Sequence, residues 1–291
     1  MVLSCSIRDH RVLGSPASQF TVSMAARCGP MTRPDLIDLL RQNYIAYFRL
    51  FHGQHGVRVY EDEQVAWIIA NRPPGNHILR SNFPSGNVEE CIDALLADIG
   101  AKTEACRWLC FPGDLPHDLG DRLARRGLDA GEGEYWMFRP LDELPHQACP
   151  DGFRVAPVST GPELRSWWTA SARGFGTSQR AAQLWYDAFR RYALEAGAYV
   201  RLYSGLVGRE VVTSGALILA GGIAGIYDIS TPRPYRGRGF ASALVSYILA
   251  EARTLGAAYA GLQTANEGNL YRRLGFEVGY REREFFWIAD S

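Results

Sequence analysis

The stretch "STPRPYRGRGFASALVSYILAEA", residues 230–252, sets two glycines and two arginines directly behind a segment that reads as a strand and directly ahead of an amphipathic helix. A helix N-terminus leaves its first backbone N–H groups unpaired and carries about half a positive charge, so a pyrophosphate is held well there. Close approach needs residues without side chains. Gly237 and Gly239 let the backbone curl around such an anion, Arg236 and Arg238 add charge-assisted contacts, and Phe240 and Ala241 open the helix. The string RGRG alone reads equally well as an ordinary glycine-rich turn. A P-loop wants Lys followed by Ser or Thr after its last glycine, where this chain has Phe240 and Ala241. A dinucleotide fingerprint wants a third small position and a long parallel sheet downstream, but Ser242 stands there and only about fifty residues follow. Only Lys102 among the 31 basic residues is a lysine, so arginine identity says little and position decides.

Outward from the loop, "YVRLYSGL", "VVTSGALIL" and "GIAGIYDIST" read as three strands joined by connections short enough for hairpins, hence antiparallel neighbours. The helix 240–255 aligns Phe240, Leu244 and Ile248 on one face and is closed by Gly256; "AAYAGLQT" then reads as a strand. Strand, helix and strand in that order give a right-handed crossover and a parallel pair, so the fold class is mixed α/β. Helices are expected at 161–172 and 179–196 ahead of these strands. In the first half, an opening helix from Pro34 is followed by short strands at 57–60, 65–69 and 78–83, a helix in "NVEECIDALLADIG", the strand "RWLCF", a helix in "LPHDLGDRLARRG" and the strand "EYWMFRP".

Gly127 and Gly275 each stand between a short arginine-bearing helix and an aromatic-rich strand, and 83–127 repeats the element order of 231–275. A degenerate duplication explains this better than chance. The proline-rich stretch 141–152 reads as the linker between a domain at 31–140 and one at 153–291. Residues 1–30 read as a disordered extension, with a start at Met24 or Met31, or a targeting peptide, as alternatives.

Equal numbers of acidic and basic residues, 31 of each, give no overall field for nucleic acid or an anionic membrane, so neither is expected as a partner. No apolar run is long enough to span a bilayer. The six cysteines lack paired spacing, which fits reduced thiols and a cytoplasmic location. Cys106 and Cys110 have no second ligand pair after them, so no metal is expected.

The second half resembles the GNAT acetyltransferase superfamily. Arg236, Gly239 and Ala241 match its acetyl-CoA signature position for position, and Tyr271, Leu274, Gly275 and Phe276 in "LYRRLGFE" match its second signature, over roughly residues 152–289. The resemblance implies two GNAT-like domains, each a mostly antiparallel mixed sheet with a parallel splayed pair flanked by helices. It also implies acetyl-CoA as co-substrate, held by the strand end Ile229, Ser230 and Thr231, by the loop 236–241, and by Asn266. In the first half "FPSGNVEE" has one glycine and no arginine, and Leu123 stands where Tyr271 stands, so that copy is expected to bind no CoA.

No His or Cys occurs after residue 150, which favours direct attack of an acceptor amine on the thioester in a ternary complex. The resemblance gives Tyr271 the role of protonating the leaving thiolate, and a phenol is still a donor at neutral pH. Asp228 is the nearest carboxylate able to take a proton from the amine; a solvated strand residue is the equal alternative, and Glu267 is a second candidate. Tyr227 and Asp228 are expected on opposite faces of their strand. Phe175, read as part of an "RGFGTS" loop, and Tyr227 are assigned to the acceptor, a small molecule or peptide bearing an amine; a homodimer is compatible with this reading. A non-catalytic acyl-CoA sensor is the alternative function.

Overall fold

Helix α1 (Arg33–Arg49) starts where the sequence supplies a reciprocal cap. Thr32 Oγ1 accepts from the Asp35 amide while the Asp35 carboxylate accepts from the Thr32 amide, and Pro34 sits in the first turn, where its missing N–H costs nothing. In the computed structural model, which describes residues 31–289 except 71, 145–147, 195–198 and 267–268, there follow β1 (Arg58–Glu61), β2 (Val65–Ile69), β3 (His77–Ser81), α2 (Val88–Gly100), β4 (Ala105–Cys110), α3 (Leu119–Arg125) and β5 (Asp129–Pro140). The remaining elements are β6 (Phe153–Pro157), α4 (Gly161–Phe175), α5 (Gln183–Tyr192), β7 (Val200–Val207), β8 (Glu210–Ala220), β9 (Ile223–Ser230), α6 (Phe240–Thr254), β10 (Tyr259–Thr264), α7 (Asn269–Arg273) and β11 (Glu277–Ile288). The extension 1–30 and Glu267 lie outside the described residues.

The contacts divide the chain into two units whose borders fall inside β5, at Glu134/Tyr135, and inside β11, at Tyr280/Arg281. The proline-rich stretch 141–152 is therefore not where the contacts part. Leu141 is buried and its amide bonds Ala258 O at 2.9 Å, while the Arg139 guanidinium bonds the carbonyls of Leu274 and Glu143, which ties the start of that stretch to the second unit. Helix α1 also belongs to the second unit and not to a domain at 31–140. The end of the chain, from Arg281, belongs to the first unit.

In the first unit β1, β2 and β3 are antiparallel in turn. β3 and β4 run parallel but pair only at His77–Arg107 and Ile78–Trp108, and β4 is antiparallel to β11 from Arg283 to Ile288. Trp67, Trp108 and Phe285 are fully buried with Leu95 and Ile99 of α2 and Leu123 of α3. Cys106 and Cys110 lie on β4 with their thiols pushed up by burial, that of Cys106 to about 12, so neither is a ready thiolate. Among the described residues no cluster of His, Cys, Asp and Glu is placed to hold a metal, and no helix is long and apolar enough to cross a membrane.

The second unit repeats that pairing pattern: β6, β7, β8 and β9 antiparallel in turn, β9 parallel to β10, and β10 antiparallel to β5 over Tyr135–Pro140. The edge strand β6 is an addition to the expected elements; it is five residues long and ends in proline, yet it buries Phe153 against Phe240 at 5.1 Å. Helix α6 fills one face with Leu244, Val245, Ile248 and Leu249.

The other face of the second unit is shaped by α1. A Cβ on Gly261 would stand 2.9 Å from Leu40, and one on Gly225 would stand 2.0 Å from Asn43 Oδ1, so the helix lies directly on the last paired residues of β9 and β10. Asn43 is fully buried; its Nδ2 donates to Ile218 O and Ala220 O at 2.9 Å and to Ile223 O at 3.0 Å, and its Oδ1 accepts from Tyr227 Oη at 2.9 Å. Truncating Asn43 to alanine strands these buried groups. It is expected to cost about 2–3 kcal/mol, read as a lower urea midpoint at unchanged slope.

Candidate active site

The loop between β9 and α6 descends through a 3-10 turn (Arg233–Tyr235) and then uses glycine where no other residue is comfortable. Gly237 and Gly239 both take left-handed backbone, with φ of 75° and 81°. Gly239 is the N-cap of α6, so no side chain competes for the first-turn amides, and none caps them among the described residues. A Cβ on Gly237 would meet nothing within 4 Å, and one on Gly239 would meet only Pro150, at 3.5 Å. Both positions therefore border open space, which leaves room for an anion at the α6 N-terminus.

Arg236 does structural work in this loop. Its Nη2 donates to Gly174 O at 2.6 Å and its Nε to Thr231 O at 2.9 Å, fastening the loop to the C-terminal turn of α4, where a cation is favoured. The fit is tight: a Cβ on Gly174 would stand 1.9 Å from Ser230 Oγ, which itself donates to Ser171 O at 3.0 Å. Arg238 lies over the Phe240 ring, 4.8 Å from its centroid. Phe175 ends α4 instead of lying in a loop, because the Thr160–Glu163 capping box and the left-handed Gly176 define a helix that long. Phe175 is 56% exposed.

Beside this loop the sheet opens. β9 and β10 pair only at Ala224–Ala260 and Gly225–Gly261; beyond these, β10 stays with β5 and β9 stays with β8. The edge of β9 from Ile226 to Ser230 thus faces a gap. Within that length the pairs Ala216–Tyr227 and Ser214–Ser230 leave Asp228 and Ile229 opposite the single residue Gly215, a bulge in which Asp228 takes φ of 53°. The bulge overturns the expected alternation: Tyr227 and Asp228 both turn toward α1. Tyr227 is buried, its ring stacked on Tyr47 at 4.6 Å, so it forms the floor and not an exposed contact.

Asp228 is partly exposed and lies 3.4 and 3.5 Å from the Tyr47 hydroxyl, which receives a bond of 2.7 Å from Trp185 Nε1. Burial lifts the Asp228 carboxyl to about 7, a rise that the Tyr47 contact partly offsets. Tyr271, on the short α7, is partly buried, with its ring edge-on to Phe276 at 5.9 Å; its carbonyl accepts from the amides of Leu274 and Phe276, both at 3.0 Å, around the left-handed Gly275. Asn266 is exposed just beyond the end of β10. The contacts thus join Arg236, Ser230 and Thr231 to α4 beside Phe175, and join Tyr227 and Asp228 to α1.

The Acetyltransferase (GNAT) family model matches residues 162–276, the span that holds the loop, the splayed pair and Tyr271. Residues 162–276 are a GNAT domain. Acyl-CoA-dependent acetyl transfer is that family's general chemistry. Among solved structures, a GCN5-related N-acetyltransferase from Kribbella flavida superposes with a TM-score of 0.60 at 14% identity, covering 86% of this chain and 96% of that one. Another from Sphaerobacter thermophilus gives 0.61 at 16%, covering 88% and 92%. A tandem GNAT protein from the clavulanic acid biosynthesis pathway gives 0.60 at 13%, covering 93% of each chain. At these identities the likeness is one of fold. Comparison with curated proteins returns no match.

The GNAT match begins after α1, so the residues of that helix at the site were invisible to a motif reading. Asn43, Tyr44 and Tyr47 interrupt the apolar face of an otherwise ordinary amphipathic helix, and that polar interruption is the one local signal they give. Trp185 stands in an aromatic-rich stretch, and its bond to Tyr47 is visible only in three dimensions.

Proposed function

We propose that the GNAT domain transfers an acetyl group from acetyl-CoA to a primary amine, of a small molecule or a peptide, by direct attack in a ternary complex. The single observation that carries this reading is the adjacency of the two-glycine cradle at the α6 N-terminus to the unpaired edge of β9, on which Asp228 stands. The cradle is shaped for the diphosphate of the co-substrate, and the free edge of β9 around Ile229 offers backbone groups to an extended amide chain. Bound there, acetyl-CoA supplies a thioester carbon as electrophile. Asp228, held near 7 by burial, is matched to accept a proton from an ammonium group at neutral pH. Tyr271 is the donor to the departing sulfur. Asn266 is assigned to the co-substrate and Phe175 to the acceptor.

The first unit is read as a degenerate copy without CoA, and its own hydrogen bonds support this. Where β3 and β4 part, the chain after β4 returns: Leu115 N donates to Ser81 O at 3.1 Å, Phe83 N to Leu115 O at 2.9 Å, and Ser81 N to the buried Asp114 at 3.2 Å. The gap that stays open in the second unit is filled in the first by its own backbone.

Calorimetry against acetyl-CoA, followed by an amine screen reporting CoA release, tests the reading. Replacing Tyr271 with phenylalanine is expected to lower kcat by about 10²-fold at unchanged acetyl-CoA affinity. A protein that binds acetyl-CoA but acetylates no amine would instead be the non-catalytic sensor.

A further inference from the structure

We propose that Tyr47, delivered by α1 from outside the GNAT match, is a positioning residue that holds the Asp228 carboxylate at the β9 bulge to receive the proton of the incoming ammonium. The proposal rests on the acetyl-transfer reading above. Its basis is a chain of donors with one consistent direction. An indole nitrogen only donates, so the 2.7 Å bond from Trp185 Nε1 makes the Tyr47 oxygen the acceptor there. The Tyr47 hydroxyl donates toward Asp228, whose two carboxylate oxygens lie at 3.4 and 3.5 Å. The ring cannot swing away: it stacks on Tyr227 at 4.6 Å with 11° between planes, stands edge-on to Phe48 at 5.7 Å, and Tyr227 is itself tied to Asn43. The separation is longer than an ordinary O–H···O bond, as catalytic hydrogen bonds often are before substrate binds.

In the reaction so arranged, the acceptor arrives as an ammonium ion and passes one proton to the Asp228 carboxylate, giving the neutral amine and a carboxylic acid. The amine nitrogen bonds to the thioester carbonyl carbon, the carbon–sulfur bond breaks, and the sulfur takes the Tyr271 proton. The second proton of the nitrogen restores the phenol through water, and Asp228 returns its own to solvent. Ammonium plus acetyl thioester thus yields amide, thiol and one free proton.

Among the described residues Tyr47 bears directly on Asp228, while Tyr44 of the same helix and Tyr227 of β9 act on Tyr47. Helix α5 brings the neutral indole of Trp185, and no charged group from α4, α6, β8 or β10 acts on the carboxyl. Because the Tyr47 contact favours the ionised carboxylate, removing the hydroxyl raises the Asp228 midpoint.

The test uses the full chain carrying aspartate labelled with carbon-13 at Cγ, the Asp228 signal being assigned by its loss in Asp228→Asn. In Tyr47→Phe, which keeps the ring stack, the midpoint is expected to move up by about half a pH unit, and in Trp185→Phe by less in the same direction. An unmoved or lowered midpoint in Tyr47→Phe overturns the positioning role even where acetyl-CoA binds. A chain that fails to bind acetyl-CoA in calorimetry overturns the transfer reading, and the proposal with it, wherever the midpoint lies.

Discussion

Replacing Gly237 and Gly239 together by valine is expected to weaken acetyl-CoA binding by about 10³-fold in calorimetry while moving the melting temperature little. Both glycines hold left-handed backbone, at φ of 75° and 81°, which costs an L-residue about 1–2 kcal/mol and a β-branched one more. The loop relieves that strain by leaving its present path, which withdraws the amides ahead of α6 from any phosphate. The new side chains also enter the space in front of those amides, where a Cβ at Gly237 meets no protein atom. Strain and occlusion together reach about 4 kcal/mol, the equivalent of three orders of magnitude in affinity. The loop is exposed and contributes little to the core, so the fold has no reason to fail. Affinity within threefold of the wild-type chain would place the diphosphate elsewhere and remove the basis for the transfer reading.

That loop was the most legible part of the molecule, and the reason is that its cause is local. Glycine spacing, the apolar stripe of α6 and the closing Gly256 are all contained in one window of sequence, and the helix found, Phe240–Thr254, departs by a single residue from the span expected. The three hairpin strands were legible for the same reason. What escaped is non-local. Helix α1 reads as the opening of the first domain because it comes first, yet Gly225 and Gly261, both stripped of side chain to admit it, lie about two hundred residues away. Two twelve-residue strands, β5 and β11, each serve both units, an arrangement that a linker search keyed to proline cannot find because the prolines follow β5. The bulge at Asp228 is set by the pairing register with β8, so strict alternation put its side chain on the wrong face. With the bulge goes the company Asp228 keeps: Tyr47 and Trp185 become neighbours only in three dimensions.

Replacing Asp228 with asparagine is expected to lower kcat/KM for amine acetylation by about 10³-fold, leave acetyl-CoA affinity unchanged, and stabilise the fold above neutral pH. The first effect follows from loss of the proton acceptor. Wild-type activity should rise with pH through the Asp228 midpoint, about 7, because only the ionised carboxylate accepts a proton, and the variant should lack that limb. The third effect follows from linkage, with the sign fixed by the direction of the shift. The carboxyl is held higher in the folded chain than its ordinary 3.8, so between that value and about 7 the folded state binds more protons than the unfolded, and stability falls as pH rises. Above about 7 the folded chain carries the full cost of a partly buried carboxylate, on the order of 2–4 kcal/mol, which asparagine does not incur. Melting curves of the two proteins should therefore coincide near pH 3 and separate by pH 8, with the inactive variant the more stable. Aspartate tolerates left-handed backbone better than most residues, but placing its carboxylate where burial lifts it to about 7 is costly, which is what a chemical duty at that position would require. If the asparagine variant melts lower than the parent at pH 8, the carboxylate is a structural anchor, and the proton acceptor must be sought on another element.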